Sequence, residues 1–247
     1  MIGIFYFSST GNSLAIAKRI GAALSEKVYF IPTYQGTLSS FSKLILVSPV
    51  YSWGLPKHVY EFLIGLPKAL PVTIVLNYGG MMGGADRYAY ETATAHGISI
   101  RAIHSVKMPE NFTLTFSTPA ILNRLTLKAA EKRIDEIIAA ISEDKELLPA
   151  PKKTFAKKHE ENRSNWHLLA ADFHVTDDCI LCGKCIELCP AHNIELKDGA
   201  ITFLDRCVAC IGCYHRCPKK AIVYKNKRKQ DRYLNPNVPE SEIGKDV

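Results

Sequence analysis

Cys179, Cys182, Cys185 and Cys189, followed by Pro190, spell C-x2-C-x2-C-x3-C-P, and Cys207, Cys210, Cys213 and Cys217, followed by Pro218, spell it again. Those two stretches hold all 8 cysteines of the 247-residue chain. Three thiols at three-residue intervals wrap a tight loop around one face of an iron–sulfur cube. The fourth, one helical turn on, is carried away from that loop and reaches a second cube. The spacing therefore predicts one [4Fe–4S] cluster on Cys179, Cys182, Cys185 and Cys217, and another on Cys207, Cys210, Cys213 and Cys189. The proline after each fourth cysteine has no amide hydrogen and stops the local helix. Structural zinc is the alternative reading of paired cysteines, but it needs two C-x2-C knuckles on one tetrahedron and has no use for the remaining thiols. Disulfides are disfavoured by the same clustering, which points to metal and to a reducing, cytoplasmic setting.

The cysteine segment is a duplication. A shift of 28 positions lays "CILCGKCIELCPAHNIEL" on "CVACIGCYHRCPKKAIVY", matching every cysteine, the proline and Ile194 on Ile222. Between the halves, "IELKDGAITF" reads as a hairpin turning at Asp198-Gly199. A unit of this size has too small a core to fold without staples, and metal would supply them. It resembles the bacterial two-cluster ferredoxins, which pass one electron per cluster. Asn193 stands where those proteins usually carry alanine, next to His192. Either side chain is placed to shift a cluster potential by hydrogen bonding. Lys184, Lys219 and Lys220 are placed to shift it by charge.

A second chemical feature opens the chain. "IGIFYFSS" breaks into "STGNS", and "SLAIAKRIGAAL" then repeats apolar residues at helical spacing. The backbone amides of such a turn and the positive end of the helix suit a phosphate. No G-K-[ST] or G-x-G-x-x-G follows, so neither a nucleotide-hydrolysing loop nor a dinucleotide site is indicated.

The elements that would position this turn alternate along residues 1 to about 147. Strands are expected in "IGIFYFSS", "KVYFIP", "KLILVSPV", "PVTIVLNYGG" and "ISIRAIHSVKMPENF", with helices between them. A last helix should start with Thr118 as N-cap and Pro119 at its first position, burying Leu127, Ala130, Ile134, Ile137, Ile138 and Ile141. Five strands alternating with helices imply an α/β, doubly wound parallel sheet in the order 2-1-3-4-5, with a second, smaller α+β domain after it. The expected boundaries are 1–148 for the sheet domain, 149–173 for a linker or surface-wrapping segment, 174–226 for the cysteine domain and 227–247 for a basic, polar tail. Within the linker, Trp166, Leu168 and Leu169 point to part of it packing down.

Two further loops reach the carboxyl rim beside the first turn: "SPVYSWG" and "NYGGMMGG". Together the three resemble the flavin loops of flavodoxins. The resemblance implies FMN, with Ser8, Ser9, Thr10, Gly11, Asn12 and Ser13 at its phosphate. Pro49, Val50, Tyr51, Ser52, Trp53 and Gly54 would lie beside the ring, with Asn77, Tyr78, Gly79 and Gly80 across it. Trp53 and Tyr78 are the candidate stacking partners. The acidic residues usual in such loops are missing. With "MPENF" at 108–112 and the order of the two halves, the chain resembles flavodoxin-like proteins fused to a two-cluster ferredoxin, found chiefly in anaerobes.

The net charge of +7 does not come from the cysteine segment, which is balanced. "KNKRKQDR" at 225–232 carries much of it and reads as a solvated terminus rather than a nucleic-acid surface. No apolar run approaches the ~20 residues of a membrane span, and the first strand begins too early for a leader peptide. The expectation is a cytoplasmic electron-transfer flavoprotein serving redox partner proteins, with a homodimer compatible. Two alternatives stand beside it: an FMN-dependent reductase, for which His58 and Tyr51 lie near the right loop, and an adaptor whose flavodoxin-like half has lost FMN. The remaining histidines show no metal-binding spacing.

Overall fold

The computed structural model describes residues 1–115, 117–225 and 231–247. Five apolar segments pair side by side: β1 (Ile2–Tyr6), β2 (Val28–Phe30), β3 (Lys43–Pro49), β4 (Val72–Tyr78) and β5 (Ile100–Lys107). Every pairing is parallel and the order is β2-β1-β3-β4-β5. A parallel sheet is covered on both faces, which is why its strands read as continuous apolar runs. Ile4, Phe5, Val47, Ile74 and Val75 are accordingly fully buried or within a percent of it. The cover comes from α1 (Asn12–Leu24), α2 (Lys57–Ile64), α3 (Ala85–Ala95) and α4 (Ala120–Ser142).

The stripe expected on α4 faces the sheet: Ala130, Ile134, Ile137 and Ile141 are buried, with Leu127 and Ile138 packed beside them. Its start differs from expectation. Pro119 holds ψ at 139°, so the helix begins at Ala120 and Thr118 is not the cap.

Residues 149–173 are more than a linker. They form α5 (Ala156–Asn165) and a 3-10 segment, Trp166–Asp172. In that tight spiral residues three apart share a side, so Trp166 is buried and Leu169 half-buried. Leu168, expected to pack with them, is exposed instead. His159 on α5 is wholly buried against Gly54, where an added Cβ would come within 2.5 Å of its ring.

The cysteine domain joins β6 (Phe173–Val175) antiparallel to β9 (Ile222–Tyr224) and folds β7 (Ile194–Lys197) onto β8 (Ala200–Phe203). The hairpin turns at Asp198 and Gly199, both with positive φ, as a two-residue turn of this hand requires. Two single-turn helices, α6 (Lys184–Glu187) and α7 (Gly212–His215), sit between the strands. Its core is small: Leu114, Phe173, Ile211, Tyr214, Ile222 and Tyr224.

Residues 226–230 of the basic run, which cover the start of the expected polar tail, lie outside the described residues. The rest, 231–247, is built into the sheet domain. Val247 exchanges backbone hydrogen bonds with Val28 at 2.7 and 2.9 Å, pairing the open edge of β2. Tyr6 donates its hydroxyl to the Lys245 carbonyl at 2.8 Å. Tyr233, Val238 and Ile243 are buried. Apolar residues spaced along a polar segment carry it down, which outweighs its charge. Replacing Ile243 by alanine should therefore cost about 2–5 kcal/mol, as for other buried isoleucines. Urea unfolding checks this; a solvated tail would give no change in midpoint.

Candidate functional site: two cysteine sets and a roofed cavity

The structure brings the eight thiols into two groups. Cys179, Cys182, Cys185 and Cys217 ring one small cavity of about 20 Å³, walled by Val175, Ile201, Ala221 and Ile222. Cys189, Cys207, Cys210 and Cys213 ring another of about 20 Å³, walled by Phe173, Ile194, Phe203, Val208 and Ile211. In each case the fourth cysteine of one motif joins the first three of the other. Among the described residues no three His, Cys, Asp or Glu side chains converge on a point that a single ion could occupy. Each group of four thiols surrounds a space, which suits a cube.

The duplication extends to the backbone. Leu181 and Ala209, Gly183 and Ile211, His192 and Lys220 are matched pairs, and all six have positive φ. Successive left-handed turns aim amides inward at an anionic group. Ile211 tolerates this conformation as a β-branched residue, a local strain of the kind found at functional sites. Matched amides also meet matched sulfurs: Asn193 N–H donates to Cys189 Sγ at 3.2 Å, and Ala221 N–H to Cys217 Sγ at 3.3 Å. Such bonds tune a cluster's potential. The Asn193 side chain does not take part. Its Oδ1 accepts from the Arg206 amide at 2.5 Å and pins the hairpin. His192 is exposed. Lys184 and Lys219 do line the first cavity, but Lys184 is paired with Glu240 at 2.5 Å.

Burial pushes the Cys185 thiol up to about 11 and the Cys210 thiol to about 12. Cys213 is raised well above the ordinary thiol, first by burial and then by Cys210, Cys207 and Cys189, with Cys185 of the other group also contributing. The two groups are thus within electrostatic reach of each other. Loading iron must displace those protons.

Beside the second group lies a cavity of about 720 Å³. Its floor is the carboxyl rim of the sheet: Pro49, Val50, Tyr51, Ser52 and Trp53 after β3, and Asn77, Tyr78, Gly79 and Gly80 after β4. Gly54 belongs to the first loop but faces His159. The turn there is tight, with Ser52 and Trp53 both at positive φ and Tyr51 exchanging hydrogen bonds with Gly54 at 3.0 and 3.1 Å. Trp53 and Tyr78, the two stacking candidates, are half-buried and both line the cavity. Such a mostly apolar recess of several hundred Å³ fits a flat ring ligand.

Other walls come from parts of the chain whose role the sequence does not indicate. Trp166 and Leu169 form the roof, Trp166 meeting Tyr51 edge-on at 6.0 Å. The only sequence signal for Trp166 is a large apolar residue in a polar stretch. Glu110 and Asn111 enter from "MPENF". Glu110 Oε2 accepts from the Gly80 amide at 3.0 Å, and an added Cβ at Gly79 would come 2.6 Å from its Cα. The glycines after β4 thus allow this close approach. Glu110 and Asp172 supply the carboxylates that the two loops lack. Ala209 and Ile211, either side of Cys210, form the wall toward the second cysteine group.

The first turn is arranged differently from expectation. Of Ser8 to Ser13 only Asn12 reaches the cavity. Ser9 donates to the Cys210 carbonyl at 2.7 Å, and Ser8 accepts from the Gly11 amide. Thr10 and Ser13 accept from Asn111 and Asn77 at 2.7 and 2.8 Å. The ring end of a flavin therefore fits the residues present, and the phosphate end finds this turn covered by the protein's own chain. His58 does not line the cavity. Burial, with help from Lys57 and His192, lowers it to about 4, and it packs on Phe7 at 5.6 Å. It forms no acid–base pair with Tyr51, whose hydroxyl approaches Ser9 at 3.4 Å.

Two parts of the chain match known domain models. Residues 3–83 match the model of a flavodoxin domain, and residues 178–222 that of a 4Fe-4S dicluster domain. No curated protein matches. Among solved structures, a Fusobacterium nucleatum flavodoxin bound to flavin mononucleotide is 21% identical over 59% of this chain and 98% of its own, with a TM-score of 0.42. Megasphaera elsdenii flavodoxin is 22% identical over 43% and 85%, at 0.38. The Flv1 flavodiiron core of Synechocystis is 16% identical over 57% of this chain but 36% of its own, at 0.40.

Serine at Cys217 and serine at Cys179 should each remove the same half of the iron, about four atoms per chain, and serine at Cys189 the other half. Iron content and the low-temperature electron paramagnetic resonance of each variant check the cross-pairing. Cys217 behaving like Cys213 would refute it.

Proposed function

We propose that this chain, which joins a flavodoxin domain to a 4Fe-4S dicluster domain and so carries a redox role, passes electrons between two [4Fe–4S] clusters and an FMN held in the roofed cavity. One observation carries the reading: Ala209 and Ile211, flanking the cysteine-group residue Cys210, also wall the cavity whose floor is the two ring-flanking loops. A ring bound there would share Ile211 as a wall with the second cysteine group. Joining both groups on one chain removes the encounter step between them.

The clusters would be held by Cys179, Cys182, Cys185 and Cys217, and by Cys207, Cys210, Cys213 and Cys189. They supply one-electron chemistry, and a flavin exchanges one or two. The remaining work falls to the protein. Tyr51, Trp53 and Tyr78 line the floor, Trp166 and Leu169 exclude water from above, and Ile211 keeps the shared wall apolar. Cys182 in the first group is exposed, which supports a route to a partner there. We assign redox partner proteins to that first group.

A second reading is favoured by the size of the cavity and by Glu110 and Asp172 in its wall: a reductase whose flavin faces a small substrate. The two readings separate on whether a small molecule reoxidises the reduced protein without a partner protein. No described helix is long and apolar enough to cross a membrane.

Anaerobically purified protein should contain about eight irons, about eight acid-labile sulfides and about one flavin per chain, the sum of two cubes and one site. Visible spectroscopy with iron, sulfide and extracted-flavin assays measures this. Full iron with no flavin, and none taken up on addition, would leave the adaptor reading. Zinc in place of iron would end both redox readings.

A further inference from the structure

The turn that would cradle a flavin's phosphate already holds a ligand, and that ligand is the C-terminal segment. The Asn235 amide donates to the Thr10 carbonyl at 2.8 Å. The Asn12 side chain, at the start of α1, accepts from the Tyr233 hydroxyl at 2.7 Å and from Asn235 Nδ2 at 3.0 Å. Asn12 spends its own Nδ2 on the Pro109 carbonyl at 3.1 Å. Gly11 has no room above it: an added Cβ would come 2.7 Å from Val238 and 3.1 Å from Asn235. Asn12 and Asn235 are 4% and 1% exposed, and Thr10 is 1%. Buried polar groups that hold hydrogen-bond partners are not given up without cost.

We propose that the turn after β1 is the socket of the C-terminal segment and not a phosphate site, so that the cavity takes a flavin by its ring alone and receives riboflavin as readily as FMN. The inference rests on the flavin reading of the cavity. The ring-flanking loops and the Trp166 roof are open to a flat ligand, whereas the turn's carbonyl, amide side chain and glycine face are committed to residues 233–238. A phosphate entering the turn would have to displace Tyr233 and Asn235 together, and with them the segment that leads on to the Val28–Val247 pairing. The socket has a role of its own: Ser9 in the same turn holds the Cys210 carbonyl, so one turn clamps both the tail and the cysteine domain onto the sheet.

The test titrates the full iron-loaded chain, kept anaerobic, with riboflavin and with FMN, following the quenching of flavin fluorescence. Salt of about 0.5 M screens the attraction between the basic protein and the FMN phosphate. The two dissociation constants should agree within about fivefold, less than one charge-assisted hydrogen bond is worth. A larger preference for FMN overturns the proposal. Thr10→Val supplies the second arm. It should change the two affinities by the same factor, and a loss confined to FMN overturns the proposal. If neither flavin binds, the flavin reading of the cavity fails, and the socket proposal loses its ligand with it.

Discussion

Six residues after the first strand must satisfy their polar groups in the dark, and the molecule is arranged around how they do so. Ser8 to Ser13 are buried to within a few percent, yet most carry side-chain oxygens or nitrogens. An unpaired polar atom there costs about 1–3 kcal/mol. Partners therefore have to come from everywhere at once: Cys210 from the cysteine domain, Asn77 from β4, Asn111 from the loop after β5, and Tyr233 and Asn235 from the far end of the chain. One turn thus sets the positions of four segments that are distant in sequence. The cavity takes its shape from that convergence, since its shared wall is the loop that Ser9 holds.

The cysteine domain depends on this anchoring. Its core is six residues, one of which, Leu114, comes from the loop after β5. Its loops are bent into left-handed conformations that a free chain would avoid, with Ile211 the costliest of them. Such strain persists where surroundings over-determine it. Here they include the sheet domain, and the two groups of thiols would add metal in the proposed function. His215 shows the same economy: Nε2 meets the Asn111 carbonyl at 2.8 Å and Nδ1 accepts from the Tyr233 amide at 3.1 Å. Burial lowers it to about 4, so it stays neutral and can play both parts.

Much of the site is legible in the amino-acid sequence. The spacing of three residues, then four, dictates which thiols share a face, and the duplication by 28 doubles the signal. That the loops after β3 and β4 line one cavity is legible because a doubly wound sheet offers ligands its carboxyl rim. Nothing in the sequence assigns Trp166, Glu110 or Asp172 to the cavity. Each reaches it from a segment with no periodic pattern, and proximity across a fold leaves no mark on local sequence. Residues 231–247 read as a solvated tail for a related reason: their composition is polar, but what holds them is the open edge of β2 and the socket at Gly11, both properties of the folded sheet domain.

The amino-acid sequence by itself indicated the order of the parallel strands, the face that α4 buries, and the grouping of the eight cysteines. All of these follow from periodicity and spacing, which are local and countable. Whether the turn at Ser8–Ser13 is open to a ligand or filled by the protein was decided only by tertiary structure. Its residues fit either role equally well, and the choice lies with groups more than two hundred residues away that compete for the same hydrogen bonds.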